Sequence, residues 1–215
     1  MADSTSRAGH GYSTAAIVDW CNQVHVPHDA GLARAFAVPD GVPAIMVGPS
    51  DGKLLGLLAR LAAPRRAIEV GTLLGYSTIH LARGLAPGGR LWTIEFDPRH
   101  AELARANLAA AGLAEQVEVC VGAGVEVLPT LEPHGPFDLV FVDADKVSYD
   151  HYARWALTHL RPGGLLIGDN AYLFGELLAA TDRGRAMRDF HQLVAASCDS
   201  VCIPTPDGLV LGIKR

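Results

Sequence analysis

A chain of 215 residues, 49% apolar and 19% charged, is long enough to bury one core of ordinary size and too hydrophobic to be disordered. Its formal net charge of −5, with no run of Lys and Arg, gives no footprint for a nucleic-acid backbone. No apolar stretch approaches the roughly 20 residues of a membrane helix, and the opening MADSTSRAGHGYS has no apolar segment of a secretory signal, so a cytoplasmic location is expected. Cys21, Cys120, Cys198 and Cys202 make no C-x-x-C pair and read as reduced, mostly buried thiols. His25 and His28 flank Pro27 with no third ligand nearby and read as loop histidines.

In chain order, residues 1–12 read as a loose tail. Helical patterns follow at about 13–24, with Ser13 as cap, and 28–38, with Asp29 as cap. A Pro- and Gly-rich loop covers 38–52, and Ser50 is placed to cap a helix whose Leu54, Leu57, Leu58 and Leu61 share one face. From residue 66 apolar strands (66–70, 90–96, 117–121, 137–142, 164–168) alternate with helices (76–85, 98–111, 123–131, 149–160). Asp97-Pro98 starts one helix and Gly112 is placed to end it. Strands apolar on both faces and joined by single helices predict a doubly wound α/β domain around a parallel sheet. After a helix near 175–196, SVCIP and GLVLGIKR are joined by a tight turn at Asp207-Gly208, which allows only an antiparallel pair. The expected sheet is therefore seven-stranded and mostly parallel, with one reversed strand at the C-terminus.

AIEVGTLLGYS (67–77) is a strand, a glycine turn and a helix start, and ligands of such folds gather beyond the strands' carboxyl ends. Gly71 and Gly75 let backbone approach a ligand. Glu95, ending the second strand, is suited to accept the hydroxyls of a ribose. A bare β–α turn, NAD and a cationic nucleoside such as S-adenosylmethionine are the three readings. Thr72 and Leu73 crowd the space a pyrophosphate needs, and Glu69 would repel it and attract a cation, which favours the third. Two later strands end in Asp143 and in Asp169-Asn170. A parallel sheet delivers both ends to one edge, where two carboxylates and an amide oxygen suit Mg²⁺ or Ca²⁺. Asp143 would then hold a metal, Asp145 face the cofactor and Lys146 face the substrate; plain strand-end caps are the competing reading.

With EVGTLLGYST, FDLVFVDADKVSYDHY, LRPGGLLIGDN and PDGLVLGIKR, the chain resembles the cation-dependent class I O-methyltransferases, the caffeoyl-coenzyme A and catechol O-methyltransferase group, over about 45–215. Residues 1–44 match only in character, as a tail and short helices that in such enzymes cover the cofactor and help form a dimer. The resemblance implies a methyl transfer from S-adenosylmethionine to a hydroxyl of a catechol-like small molecule on a divalent cation, Mg²⁺ first, Ca²⁺ or Mn²⁺ otherwise. It implies that Val47, Glu69, Gly71, Thr72 and Ser77 contact the methionine part, Glu95 the ribose and Gly124, in VGAG, the adenine. Asp145 would hold the methionine amino group. Asp143, beside the cofactor, would bind the cation with Asp169 and Asn170, and Lys146 would be the general base. DNAYLFG departs from the plant DNTLWNG: Phe174 replaces an Asn, and Tyr172 and Leu173 are expected to make the rim apolar, against a coenzyme A thioester acceptor. Methylation of a hydroxylated wobble uridine in tRNA and a non-catalytic nucleoside-binding module are the alternatives.

Overall fold

The computed structural model describes residues 13–215, so the N-terminal tail expectation lies outside the described residues. The helices are α1 (Ala15–His25), α2 (Ala30–Phe36), α3 (Pro49–Ala62), α4 (Tyr76–Ala82), α5 (Pro98–Ala110), α6 (Gly124–Leu131), α7 (Tyr149–His159) and α8 (Asp182–Ser197). The strands are β1 (Arg66–Val70), β2 (Arg90–Glu95), β3 (Val117–Val121), β4 (Phe137–Val142), β5 (Leu160–Gly168), β6 (Cys198–Ile203) and β7 (Leu209–Lys214). They form one seven-stranded sheet in the order β3-β2-β1-β4-β5-β7-β6, in which β7 is the one reversed strand, antiparallel to both β5 and β6.

Alternation along the strands builds two apolar layers. On one face Ile68, Val70, Val140, Val142 and Leu166 pack with Leu128 of α6, Tyr152 and Trp155 of α7 and Phe190 of α8. On the other, Ala67, Leu139, Phe141 and Ile167 pack with Leu32 of α2, Leu55 of α3, Ile79 of α4 and Leu108 of α5. Cys198 alone of the four free cysteines is fully buried; the others are half-buried.

Local chemistry moved several ends. Thr14, one residue after Ser13, caps α1 by accepting from Ile17 N. Pro49 at the first position fixes the start of α3 behind Gly48, so Ser50 is inside the helix and its hydroxyl donates to Asn22 of α1 at 2.6 Å. Asp29 and Asp97 cap as expected, through Leu32 N and Arg99 N. β5 begins four residues earlier than 164, at Leu160. The helix expected from 175 begins at Asp182, because Asn170, Leu173 and Phe174 all adopt left-handed φ near +50° and turn the chain before Thr181 can cap α8.

The sheet's growth reverses between β1 and β4, and the two strands end in register, Val70 beside Val142. Asp143 N donates to Val70 O at 2.8 Å, which brings the turn after β1 against the turn after β4. Gly71 has φ +101°, and a Cβ there would lie 1.9 Å from Asp143 O. Gly112 is also left-handed, but a Cβ would meet nothing within 4 Å. Gly71→Ala should therefore cost at least about 3 kcal/mol in urea unfolding and Gly112→Ala about 1 kcal/mol. Equal costs would mean that the β1–β4 contact does not constrain the turn.

Candidate active site

The carboxyl ends of β1, β2, β4 and β5 open into a cavity of about 950 Å³. One wall is the glycine turn Gly71-Thr72-Leu73 with Ser77 of α4; another is the turn Gly122-Ala123-Gly124 after β3. Val47, just before α3, closes the near side. Asp143, Asp145, Lys146, Asp169 and Asn170 line the far end. The structure thus brings together on one cavity the residues singled out from the sequence for the cofactor and the cation, except Glu69; Gly75, expected to let backbone approach a ligand, instead faces Ala104 and Leu108 of α5 and does not line it.

Glu69 lies behind the wall. It is fully buried on the α4 face of β1, where three hydroxyls donate to it: Ser77 to Oε1 at 2.6 Å, Thr78 and Thr93 to Oε2 at 2.5 and 2.7 Å. Burial pushes its carboxyl up to about 7 in spite of those bonds. Glu69, expected to contact the ligand, does not itself line the cavity; Ser77, which bonds to it, does.

Glu95 is largely committed to the fold. Its Oε2 accepts from Leu73 N at 2.7 Å and Thr72 N at 3.3 Å, and Oε1 accepts from Asp97 N at 3.0 Å. A carboxylate has about four acceptor sites, so the ribose hydroxyls expected of it would compete for what is left on Oε1. Thr72 also turns inward, its hydroxyl 2.6 Å from that of Thr93. Gly124 is required by crowding: a Cβ would approach Val70 to 2.8 Å and the Tyr152 ring to 2.9 Å.

At the far end Lys146 Nζ donates to Asp143 Oδ1 at 2.9 Å and to the Tyr149 hydroxyl at 2.8 Å. Tyr149 in turn donates toward the Asp169 and Val142 carbonyls, at 3.0 and 3.2 Å. Burial, and then the Asp143 charge, hold the Tyr149 phenol well above its ordinary range, so it stays neutral. The Tyr152 hydroxyl donates to Asp145. Burial raises the Asp169 carboxyl to about 7, and the nearby Asp143 charge adds to it. Asp51 and Asp207, which also line the cavity, were not singled out from the sequence. Burial raises Asp51, Asp207 adds to that, and Asp51 in turn disfavours ionisation of Asp169.

This donor set suits a divalent cation: two carboxylates and an amide line one end of the cavity, where burial first and then the Asp143 charge drive the Asp169 carboxyl up, and a cation would offset both. Among the described residues no group of three or more His, Cys, Asp and Glu side chains is placed to hold a metal. The rim differs from expectation. Left-handed φ at Leu173 turns its side chain fully inward, and Tyr172 packs on Gly208. Phe174, 63% exposed, is the residue of that loop left on the cavity rim, with Ile45 also lining the mouth.

A mostly parallel sheet with a single reversed strand and a nucleoside-sized cavity at its switch point defines a Rossmann-like methyltransferase fold. The model of the O-methyltransferase family matches residues 30–215. The chain is 48% identical over 164 residues to a catechol O-methyltransferase of Mycobacterium tuberculosis, covering 75% of this chain and 74% of that one. It is 41% identical over 200 residues to a catechol O-methyltransferase of Niastella koreensis, covering 87% and 90%. An O-methyltransferase from Bacillus cereus, solved in complex with S-adenosylhomocysteine (SAH), superposes with a TM-score of 0.87 at 36% identity, covering 93% and 97%. The chain belongs to the O-methyltransferase family and is an S-adenosylmethionine-dependent methyltransferase.

Glu69 supplies a test of the site's inner layer. An ordinary Glu titrates near 4.5 and Glu69 near 7. The folded state therefore holds this proton more tightly, and its contribution, full below about pH 4.5, is lost as pH rises through about 7. Glu69→Gln cannot ionise and removes that slope. Between pH 4.5 and 7.5 the variant should gain on the order of 3 kcal/mol relative to wild type in urea unfolding. A difference that stays flat with pH would show that Glu69 is not the titrating group.

Proposed function

We propose that the protein transfers the methyl group of S-adenosylmethionine to one hydroxyl of a catechol-like small molecule, with a divalent cation at Asp143, Asp169 and Asn170. The observation that carries this is the meeting of that donor set and Lys146 with a glycine-walled nucleoside cavity at one sheet edge. Mg²⁺ suits the hard oxygen donors best, and Ca²⁺ or Mn²⁺ would also be accepted. When bound, the cofactor supplies an electrophilic methyl and the cation supplies charge that favours phenolate over phenol.

The chain's own residues do the rest. Gly71 and the Gly122–Gly124 turn would let backbone lie against the nucleoside, and Glu95 would accept from its ribose. Val47, Thr72 and Ser77 would line the methionine end and Asp145 would hold its amino group. Lys146, kept in place by Asp143 and Tyr149, would take the acceptor's proton at Nζ. Phe174 would flank the aromatic ring. Holding acceptor oxygen and methyl in line is the main source of rate, up to about 7–11 kcal/mol in ideal cases.

The relatives named catechol O-methyltransferases support the acceptor class. Six carboxylates (Asp51, Glu95, Asp143, Asp145, Asp169, Asp207) line the cavity against one lysine, which disfavours a polyanion such as tRNA. Among the described residues no helix is long and apolar enough to cross a membrane. A homodimer also belongs to the proposal: Ile17, Trp20 and Val24 are exposed on α1, and a second copy would cover them.

Turnover of a simple catechol with S-adenosylmethionine and Mg²⁺ should be abolished by excess EDTA. Asp169→Ala should likewise abolish turnover while SAH binding, read by calorimetry, changes less than about threefold. Turnover indifferent to EDTA would overturn the role given to Asp143, Asp169 and Asn170.

A further inference from the structure

We infer that Tyr149 is a positioning residue that directs the free electron pair of Lys146 Nζ into the cavity, because backbone carbonyls take the phenol's own hydrogen. This rests on the reading of Lys146 as the base given above. Lys146 lines the cavity, whereas Tyr149 is fully buried behind it. The Tyr149 hydroxyl has one hydrogen and three neighbours: the carbonyls of Asp169 and Val142, at 3.0 and 3.2 Å, and Lys146 Nζ, at 2.8 Å. The Asp169 carbonyl decides where that hydrogen goes. Val142 O also accepts from Asp169 N at 3.0 Å, but Asp169 O is met by the phenol, and a buried carbonyl left unpaired is unfavourable.

A tetrahedral nitrogen offers three positions besides its bond to carbon. At Nζ one is aimed at Asp143 Oδ1, 2.9 Å away, and one at the Tyr149 oxygen. Both partners can only accept: a carboxylate has no hydrogen, and that of Tyr149 is held by the carbonyls. As an amine Lys146 has two hydrogens, and these two partners draw both. The lone pair is left with the third position, on the side of the cavity that Lys146 lines. Were the phenol's hydrogen free to turn to Nζ, it would cover the lone pair, and an N–H would face the acceptor instead.

In the transfer the acceptor's O–H bond breaks and a third N–H bond forms at Nζ. The electron pair left on the acceptor oxygen makes the bond to the methyl carbon, and the pair of the broken carbon–sulfur bond leaves with sulfur. The ammonium gives its extra proton to solvent after the ether departs. Tyr149 accepts from Nζ before and after, so nothing behind the lysine has to turn during the step. Asp169 thus serves twice, with its side chain at the cavity's far end and its carbonyl on the phenol.

The test is a double-mutant cycle on the full chain, with catechol, S-adenosylmethionine and Mg²⁺. Lys146→Met should lower kcat about a hundredfold, as loss of a general base does. Tyr149→Phe should lower kcat about tenfold and leave KM for both substrates within about twofold. Tyr149→Phe added to Lys146→Met should cost less than about twofold more, because the base it directs is gone. A further loss of about tenfold in that background would mean that Tyr149 acts on the fold at large, and would overturn the inference. So would a Tyr149→Phe enzyme as fast as wild type, or one whose loss falls on KM. If that variant fails to fold, neutron diffraction from a deuterated wild-type crystal at alkaline pH, with Lys146 as the amine, decides. Deuterium of the phenol aimed at Asp169 O is expected, and deuterium aimed at Nζ would overturn the inference. A Lys146→Met enzyme as fast as wild type would instead overturn the reading of Lys146 as the base.

Discussion

The contact between Gly71 and Asp143 is the constraint from which the site follows. β1 and β4 are neighbours that end together, and the backbone amide of Asp143 closes onto the carbonyl of Val70. That closure leaves no volume for a side chain at the first turn position. It also brings the nucleoside-facing turn and the acidic strand end within one hydrogen bond of each other. A fold in which these strands were not adjacent would place the same residues on separate surfaces. The switch in strand order thus gathers both sets of residues on one sheet edge.

Carboxylates of three kinds are built around that edge, and they differ in what holds them. Glu95 is tied by backbone amides and shapes the glycine turn. Glu69 is held by hydroxyls, which satisfy it without a counter-charge and leave its ionisation finely balanced. Asp143 and Asp51 both disfavour ionisation of Asp169 at the far end of the cavity, where Lys146 pairs with Asp143 and also favours the charged form of Asp169. The first group serves geometry, the second holds α4 and β2 against β1 through buried hydroxyls, and the third would be neutralised by what binds.

The architecture was legible because its signals were local and repeated: apolar runs, caps such as Asp97-Pro98, and the short link at Asp207-Gly208. The convergence of Asp143 with Asp169 and Asn170 was legible too, since parallel strands must deliver their ends to one edge. What escaped was set by distant packing. Asp51 reaches the cavity from the first turn of α3, an element whose start Pro49 fixes and which Ser50 ties to Asn22. Asp207 looked like a turn residue, and it reaches the cavity because Gly208 packs on Tyr172. Leu173 was read as rim from its position in the chain, and only its backbone conformation turns it inward. The layering of Glu69 behind Ser77 was invisible for the same reason, since sequence spacing does not say which side chain stands in front.

The loop after Asn170 carries one more consequence. Phe174 holds φ +53°, a conformation that an aromatic residue adopts at a cost and that Gly or Asn adopts readily. Its ring contributes little to the core, being mostly exposed. Replacement by Asn or Gly would therefore relax the backbone while widening the mouth of the cavity. If Phe174 flanks the acceptor as proposed, foldedness and acceptor choice would pull in opposite directions at this one position. The mouth could then change its clientele without endangering the core, and a phenyl ring held there against its backbone preference would be a cost borne for the acceptor rather than for the fold.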